Sequence, residues 1–401
     1  MINVCYTDII INFFRIVRQA ILLNKISSGA EFSDKPRLFS DKPDLTLLIC
    51  TFLCAAIGIL TVNSASASLS AHGRYIFMQA TAAVIGICAM TAIILFRYTN
   101  LKKIKYFIFG AAIALLATVL IIGKLSHGMQ GWIKIGAFSF QPSEPAKLCF
   151  IITLAAHLSE AKDTLRSPKT LLFLLLHFLC YTIPVLLQPD FGTAAVFGVI
   201  FIFELFFAGI SLKLLGITFG GLAALSPIVW FFLRDFQRKR IITLFHPESD
   251  PLGSGYHVIQ SKIAIGSGQL TGRGYMHGPQ TQFGYLPERQ TDFVFSVIGE
   301  EFGFIGTITV TVLLFIIIYR CFESARSNSH DPFGSLMCAG VGAMLFFHVV
   351  ENIGMCIGLM PVTGIPLPFI SYGGSNLITC FASVGLVQSV TMRRLSVKFN
   401  I

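Results

Sequence analysis

Residues 45–65, LTLLICTFLCAAIGILTVNSA, decide the fold class, because they form a mainly apolar run without a single charged side chain. A helix needs roughly 20 such residues to cross a bilayer. The rest of the chain repeats the pattern, and it predicts ten spans near 45–65, 73–96, 104–123, 146–160, 170–188, 191–208, 212–233, 293–319, 334–358 and 367–391. Such runs satisfy their backbone in lipid as helices, so we expect an all-α polytopic membrane protein.

The composition supports this fold class. Of the 401 residues, 54% are hydrophobic and 12% are charged, whereas a soluble domain carries about 25% charged residues. So few charges cannot cover a water-exposed surface of this size, so the bilayer must solvate much of the chain. The net charge of +10 therefore indicates basic cytoplasmic loops and not a nucleic-acid-binding protein.

The short loops predict the orientation. Residues 97–105, residues 159–169 and the C-terminal tail are rich in Lys and Arg, whereas 359–366 contains neither. Basic loops favour the cytoplasm, so both termini are predicted there. We expect a cytoplasmic extension over 1–44, one membrane domain over 45–395 and a cytoplasmic tail over 396–401. The domain would carry a large extracytoplasmic loop, 234–292, between helices 7 and 8.

Polar residues cluster in four segments that this orientation places outside: 126–147, 188–193, 234–301 and 361–375. They are dense in Gly, Pro and aromatic residues, which favours folded re-entrant loops over slack linkers. Four such loops at one face of a bundle can form a pocket at the membrane surface.

Asp292 is the candidate catalytic residue. It lies at the mouth of a long apolar segment, where a carboxylate could act as a general base. The alternative from local sequence is that Thr291 and Asp292 cap the following helix. Glu300 and Glu301 lie two turns deeper, and ionisable groups in a span suggest function, although they could equally buttress the fold.

Other candidates also have a structural alternative. Glu144 and Lys147 are spaced i and i+3, as in a simple ion pair at a helix start. Asp190 could cap the sixth helix, and Trp132 could be an interfacial anchor. The basic side chains of the large loop suit an anionic, phosphate-bearing ligand or a solvated surface; they are Arg238, Arg240, Lys262 and Arg273.

Five ordered segments carry a resemblance to a known family. They are WIKIGAFSFQPSEPAKL (132–148), QPDFGTA (188–194), GYHVIQSKIAIGSGQLTGRG (255–274), LPERQTDFVFSVIGEEFGFIG (286–306) and PVTGIPLPFISYGGS (361–375). In order and spacing the chain resembles the SEDS family (shape, elongation, division and sporulation) over about residues 45–395. The HVIQSKIAIGSG and TGIPLPF runs look more like its rod-elongation branch (RodA) than its division branch (FtsW).

The resemblance implies ten transmembrane helices in the bacterial inner membrane and polymerisation of lipid II into glycan strands. It also implies a class B penicillin-binding transpeptidase as partner, within an elongation or division complex. The essential aspartate of the family would be Asp292. Its other motif residues match Trp132, Glu144, Lys147 and Asp190. One position departs from the family, since Gly131 stands where an arginine is usual, and Lys134 or His127 could replace that contact.

Two further functions remain as hypotheses. A lipid II flippase could use intramembrane carboxylates, namely Glu204, Glu300, Glu301 and Glu351, although no paired broken-helix repeat is visible. A non-enzymatic scaffold of the wall-synthesis complex is the third hypothesis. No cofactor is certain; a divalent cation such as Mg²⁺ or Mn²⁺ could assist, but the sequence shows no defined ligand set.

Overall fold

The computed structural model describes residues 42–126, 129–135, 138–165, 167–210, 216, 238, 242–246, 248, 250 and 253–393. Its helices are α1 (Leu45–Ser66), α2 (His72–Leu95), α3 (Tyr98–Lys103), α4 (Lys105–Ile122), α5 (Ser143–Glu160), α6 (Pro168–Leu187), α7 (Phe191–Phe207), α8 (Ser254–Ser267), α9 (Pro279–Gln282), α10 (Val294–Ser327), α11 (Pro332–Cys356) and α12 (Gly374–Thr391). Three short strands, β1 (Lys124–Ser126), β2 (Met129–Ile135) and β3 (Phe138–Phe140), form an antiparallel sheet between α4 and α5.

Six of the described helices are long and apolar enough to cross a membrane: α1, α2, α4, α6, α10 and α11. Helix α7 is a shorter apolar helix, and α5 and α12 also match predicted spans. The polytopic helical fold is therefore confirmed. The predicted seventh span, 212–233, lies outside the described residues apart from Gly216, so the number of ten spans stays a prediction.

Two element predictions need correction. The last span was expected from residue 367, but α12 begins at Gly374, because residues 365 and 367–371 are buried as irregular chain and fold back into the bundle. There Phe369 packs on Phe381 of α12, and a Cβ built at Gly58 of α1 would lie 2.6 Å from the Phe369 carbonyl oxygen. The small sheet over 124–140 was not predicted at all.

Helix α11 lies at the centre of the bundle. Within an apolar stretch of 18 residues, 78% of its residues are buried, against 17% in α4 and 22% in α6. It packs against α5, α7 and α10, while α12 packs along α2. The α2–α12 contact is close because Gly385 has no side chain; a Cβ there would lie 2.8 Å from the Met90 carbonyl oxygen. Small residues permit such close approach of membrane helices.

The two ends of the bundle differ in charge. One end carries Asp44, the start of α4 and the end of α12, and it gathers the basic side chains Lys102, Lys103, Lys105, Arg320 and Arg393. Arg393 donates to the last carbonyls of α2, those of Ile94 (2.7 Å) and Leu95 (3.0 Å). The basic end is the one predicted to be cytoplasmic. The sheet, the start of α5 and the end of α11 lie at the opposite end, called here the outer end.

Helix α10 is broken at Gly303, where φ is 65° and ψ is −159°, a conformation essentially confined to glycine. The break leaves the carbonyls of Glu300 and Glu301 without helical partners, and they accept from the backbone N–H groups of Arg273 (2.9 Å) and Gly274 (3.0 Å). In return, the N–H groups of Phe304 and Ile305 donate to the carbonyls of Gln269 (2.8 Å) and Leu270 (3.2 Å). Four backbone hydrogen bonds thus join the break to the turn after α8.

We expect Gly303→Ala to destabilise the protein by about 2–3 kcal/mol, because alanine strains this backbone conformation and its Cβ would lie 2.4 Å from the Gly272 nitrogen. Thermal unfolding of detergent-purified protein measures the loss. Gly110→Ala is the matched control, since nothing lies within 4 Å of a Cβ there. Equal melting temperatures for the two variants would contradict this account of the break.

Candidate functional site

Asp292 lies in a tight turn just before α10. The Glu288 carbonyl accepts from the N–H groups of Thr291 (3.2 Å), Asp292 (3.0 Å) and Phe293 (3.2 Å), and Glu288 itself has φ of 46°. Non-glycine residues with positive φ are uncommon and cluster at functional sites. Helix α10 begins at Val294 with Phe293 as its N-cap residue. The N-cap position of α10 is therefore occupied by Phe293, and Thr291 and Asp292 precede it.

Three neighbouring parts of the bundle hold this turn. Arg289 is buried and donates from Nε to the Ala65 carbonyl in the last turn of α1 (2.6 Å). The Tyr372 N–H donates to the Gln290 carbonyl (2.8 Å). The side chain of Asn352, on α11, donates to the Asp292 carbonyl (2.8 Å). The turn is thereby fixed to α1, to α11 and to the segment before α12.

The Asp292 side chain is half-buried at the outer end of α11. It faces Gly364, where φ is 79° and a Cβ would lie 3.5 Å from Asp292 Oδ2. From Asp292, residues 294–302 of α10 run to the end of α1, where Ser64 contacts Glu301. Because Asp292 is only half-buried, its carboxylate lies at the boundary of the bundle and is not sealed inside it.

Glu144 and Lys147 form the ion pair that their spacing suggested, at 2.9 Å and almost fully buried. Lys147 Nζ also donates to His348 Nε2 of α11 (3.0 Å), and Asn376 of α12 donates to Glu144 Oε2 (3.1 Å). An ammonium group only donates, so Nε2 is the unprotonated nitrogen of His348. These four side chains join α5, α11 and α12 below the outer surface.

Asp190 caps α7, as the structural alternative predicted. Its side chain accepts from Thr193 N–H (2.9 Å) and Thr193 Oγ1 (2.7 Å), and Gln141 Nε2 lies 3.4 Å from Asp190 Oδ2. Despite these hydrogen bonds, burial raises the pKa of Asp190. A role of Asp190 towards substrate stays a prediction.

Gly131, where the resemblance led us to expect an arginine, is buried on β2 beside the cap of α7. A Cβ there would lie 4.0 Å from both Gln141 Nε2 and Gln188 Oε1. Trp132 is half-buried next to it and pairs with Lys124 of β1. The side chains of His127 and Lys134 lie outside the described part of the chain, so their replacement of the arginine is untested.

The basic residues predicted to bind an anionic ligand do not lie together in the structure. Lys262 is exposed on α8 and lies across Gly358 at the end of α11. The preceding residue, Ser261, donates to the Cys356 carbonyl (2.6 Å). Lys262 therefore lies at the same end of α11 as Asp292. A small cleft beside it is lined by Thr243, Leu244, Val258, Gly358 and Met360–Val362.

Arg273 lies in the turn after α8, beside α10 and further from Asp292 than Lys262 is from the end of α11. Its backbone bonds to Glu300, eight residues from Asp292 and thus roughly 12 Å away along a helix, and its side chain is exposed. Arg238 is half-buried, and Arg240 lies outside the described residues. The structure brings Lys262, but not Arg273, to the end of α11 where Asp292 lies.

Glu300 and Glu301 buttress the fold. Glu300 accepts from the N–H groups of Gln280 (2.7 Å) and Thr281 (3.0 Å) in the first turn of α9. Glu301 accepts from Ser64 and from Gln282 (3.5 Å). These bonds stabilise the loop between α8 and α10.

The sequence reasoning missed His348, Asn352 and Asn376 as members of the outer-end network. The available signal was a strongly polar residue inside an apolar span. In the described residues, no group of three or more His, Cys, Asp or Glu is placed to hold a metal ion.

The structure thus describes a polytopic helical membrane protein with a fixed aspartate at the outer end of its central helix. The family model for cell cycle proteins of the FtsW, RodA and SpoVE type matches residues 44–395, and the chain belongs to that family. The peptidoglycan glycosyltransferase MrdB of Escherichia coli K12 is 40% identical over 370 residues, or 90% of this chain and 98% of MrdB. Stage V sporulation protein E of Bacillus subtilis is 38% identical, over 87% of this chain and 97% of that protein.

Solved structures agree with this family. A chain from a peptidoglycan synthase complex, described for its coordination of polymerization and crosslinking, has a TM-score of 0.76 and 33% identity, covering 88% of this chain and 98% of that one. The rod shape determining protein RodA of Thermus thermophilus has a TM-score of 0.66 and 29% identity, with the same coverage. The resemblance to the rod-elongation branch fits these findings.

Lys147→Met is expected to destabilise the protein by about 3–5 kcal/mol, because it leaves Glu144 buried without its counter-charge. The double variant Glu144→Gln with Lys147→Met should regain most of that loss, since no charge is then buried alone. Melting temperatures of the purified variants test this. A double variant that is less stable than Lys147→Met would show that the pair is not coupled.

Proposed function

We propose that the chain is a peptidoglycan glycosyltransferase that polymerises lipid II into glycan strands for cell-wall elongation and cell shape. The observation that carries the proposal is Asp292: a half-buried carboxylate at the outer end of the bundle, on a turn tied to three other parts of the protein. The family membership and the glycosyltransferase relatives support the same reaction class.

In the proposed reaction, Asp292 accepts the proton of the 4-hydroxyl of one lipid-linked sugar as that oxygen attacks the anomeric carbon of another. The bond from that carbon to the undecaprenyl pyrophosphate breaks, and the pyrophosphate leaves with the electron pair. Glycoside hydrolases commonly protonate a poor leaving group with a second carboxylic acid. Pyrophosphate instead needs counter-charge, which is consistent with one essential carboxylate and nearby basic residues.

Lys262 is the described cation best placed for this role, because it shares the outer end of α11 with Asp292. A divalent cation, Mg²⁺ or Mn²⁺, could supply further counter-charge as a Lewis acid bound to the pyrophosphate oxygens. The described residues offer no group of three or more His, Cys, Asp or Glu for such an ion, so the substrate would have to supply most of its ligands. A substrate contact for Trp132 belongs to the same proposal, whereas Glu144, Lys147 and Asp190 are buried and would act on the substrate only by holding the outer-end segments in place.

The proposal places the protein in the bacterial inner membrane with both termini in the cytoplasm. Its basis is the gathering of Lys and Arg at the end of the bundle that carries Asp44 and Arg393. A class B penicillin-binding transpeptidase is the proposed partner, because the synthase complex that this chain resembles joins polymerization to crosslinking.

The transport alternative has less support among the described residues. Glu300 and Glu301 hold backbone groups of the α8–α10 loop, and Glu351 accepts from Thr363 Oγ1 (2.7 Å). Among the carboxylates that the structure describes, only Glu204 is fully buried with both oxygens lacking a hydrogen-bond partner. A single carboxyl without a connected polar path does not make a proton-coupled carrier.

Asp292→Asn should lower polymerisation of lipid II by about 100-fold or more, as expected for loss of a general base, while leaving the protein folded. Gel analysis of glycan products in detergent, with and without Mg²⁺, measures this. Glu248→Gln is the control, because Glu248 is an exposed carboxylate of the same predicted outer loop and should retain full activity. Glycan synthesis by Asp292→Asn at the wild-type rate would exclude the proposed role.

Lys262 and Arg273 should contribute differently to the rate of polymerisation. Lys262→Ala is expected to lower kcat/KM by about 10-fold, a typical loss for one charge-assisted contact, whereas Arg273→Ala should lower it by less. The reason is that the backbone of Arg273 bonds to Glu300, which by helix geometry lies about 12 Å from Asp292. Initial rates over a range of lipid II concentrations decide this, and a larger loss in Arg273→Ala would move the pyrophosphate site to the turn after α8.

A further inference from the structure

Asn352 occupies an unusual position for an amide. It lies in the central helix α11 and is fully buried. Its Nδ2 group donates to two backbone carbonyls from different parts of the chain, Asp292 (2.8 Å) and Ile365 (2.8 Å). Both partners are acceptors, so only the NH₂ group can face them and the orientation of the amide is determined.

These two bonds act on both sides of the Asp292 carboxylate. On one side, the Asp292 N–H is held by the Glu288 carbonyl (3.0 Å) and its C=O by Asn352, so both peptide groups around its Cα are fixed. On the other side, the bond to Ile365 holds the segment that contains Gly364, which faces Asp292 Oδ2. One side chain thus sets the distance between the carboxylate and the chain in front of it.

Asn352 cannot itself touch a substrate, because it has no exposed surface. Its effect has to pass through Asp292 and residues 363–365. A misplacement of about 1 Å can cost 100-fold in rate, because reaction requires aligned atoms. Helix α11 is suited to this work since it is the most buried of the six long apolar helices named above.

We infer that Asn352 is a positioning residue for Asp292: its buried amide locks the turn that carries the carboxylate and the facing 363–365 segment to the central helix. The inference rests on the proposed function, in which Asp292 is the base. It concerns the rate of the chemical step and not the affinity for substrate.

The test compares two buried amides at opposite ends of the bundle. Asn352→Ala removes both bonds, and Asn352→Asp keeps the shape but sets a carboxylate against two carbonyls. The control is Gln388, also fully buried, which donates to the Asp44 carbonyl (2.8 Å) and accepts from the Asp44 N–H (3.0 Å) at the cytoplasmic end. Gln388→Ala and Gln388→Glu repeat the same two changes far from Asp292.

Rates per folded protein and melting temperatures are measured for all four variants. We expect kcat to fall about 100-fold in Asn352→Asp and somewhat less in Asn352→Ala, with KM nearly unchanged. The Gln388 variants should lose melting temperature but keep kcat. Asn352→Ser, which retains one donor, provides a milder change if the others do not fold, and it should have an intermediate kcat.

Variants made in the Asp292→Asn background distinguish the catalytic role of Asp292 from the positioning role of Asn352. Adding Asn352→Ala to it should cause no further loss, because residues that act as a unit are not additive. If Asp292→Asn alone kept polymerising, the proposed function and this inference would both fall. If Asp292→Asn were inactive while the Asn352 variants kept the wild-type kcat, or lost kcat only in step with the Gln388 variants, the inference alone would be wrong.

Discussion

Backbone groups that leave a helix within or near a bilayer must find partners inside the protein, because lipid offers none and an unsatisfied group costs several kcal/mol. The outer end of this bundle is arranged around that constraint. The break at Gly303 is satisfied by the turn after α8, the last turn of α1 by Arg289, and the turn at Asp292 by Asn352. The irregular chain at this end is therefore fixed by hydrogen bonds to neighbouring elements and can present a carboxylate in a defined position.

The same constraint divides the outer-end polar residues into two groups. Most of them hold other parts of the protein: Glu300 receives the amides of α9, Asp190 caps α7, and Glu144 with Lys147 joins three helices. Asp292 and Lys262 differ, since the first is half-buried and the second is exposed. A site with an accessible acid, a nearby cation and well-fixed surroundings fits a glycosyl transfer with a good leaving group better than it fits a proton-conducting path.

Some elements and contacts of this protein could be predicted from the sequence, and others could not. The spans were predicted because about 20 apolar residues have no alternative to crossing the bilayer as a helix, and the i, i+3 spacing of Glu144 and Lys147 correctly suggested an ion pair. Local reasoning failed at residues 367–373, which read as helix but lie as irregular chain that is buried over 367–371. It also did not show that Phe293, and not Thr291 or Asp292, takes the N-cap position of α10. In both places contacts with distant segments, to α1 and to α11, outweigh the local preference.

The sequence by itself determined the membrane-spanning fold class, the family and the candidate acid, because hydrophobic length and ordered motifs are properties of the linear chain. Only the tertiary structure decided which polar residues hold the fold and which face the outer boundary. The physical reason is that a hydrogen bond depends on distance and direction between groups that can be hundreds of positions apart, as for Gln141 and Ser375 or Arg289 and Ala65. No local pattern encodes that Asn352 reaches the carbonyl of Asp292.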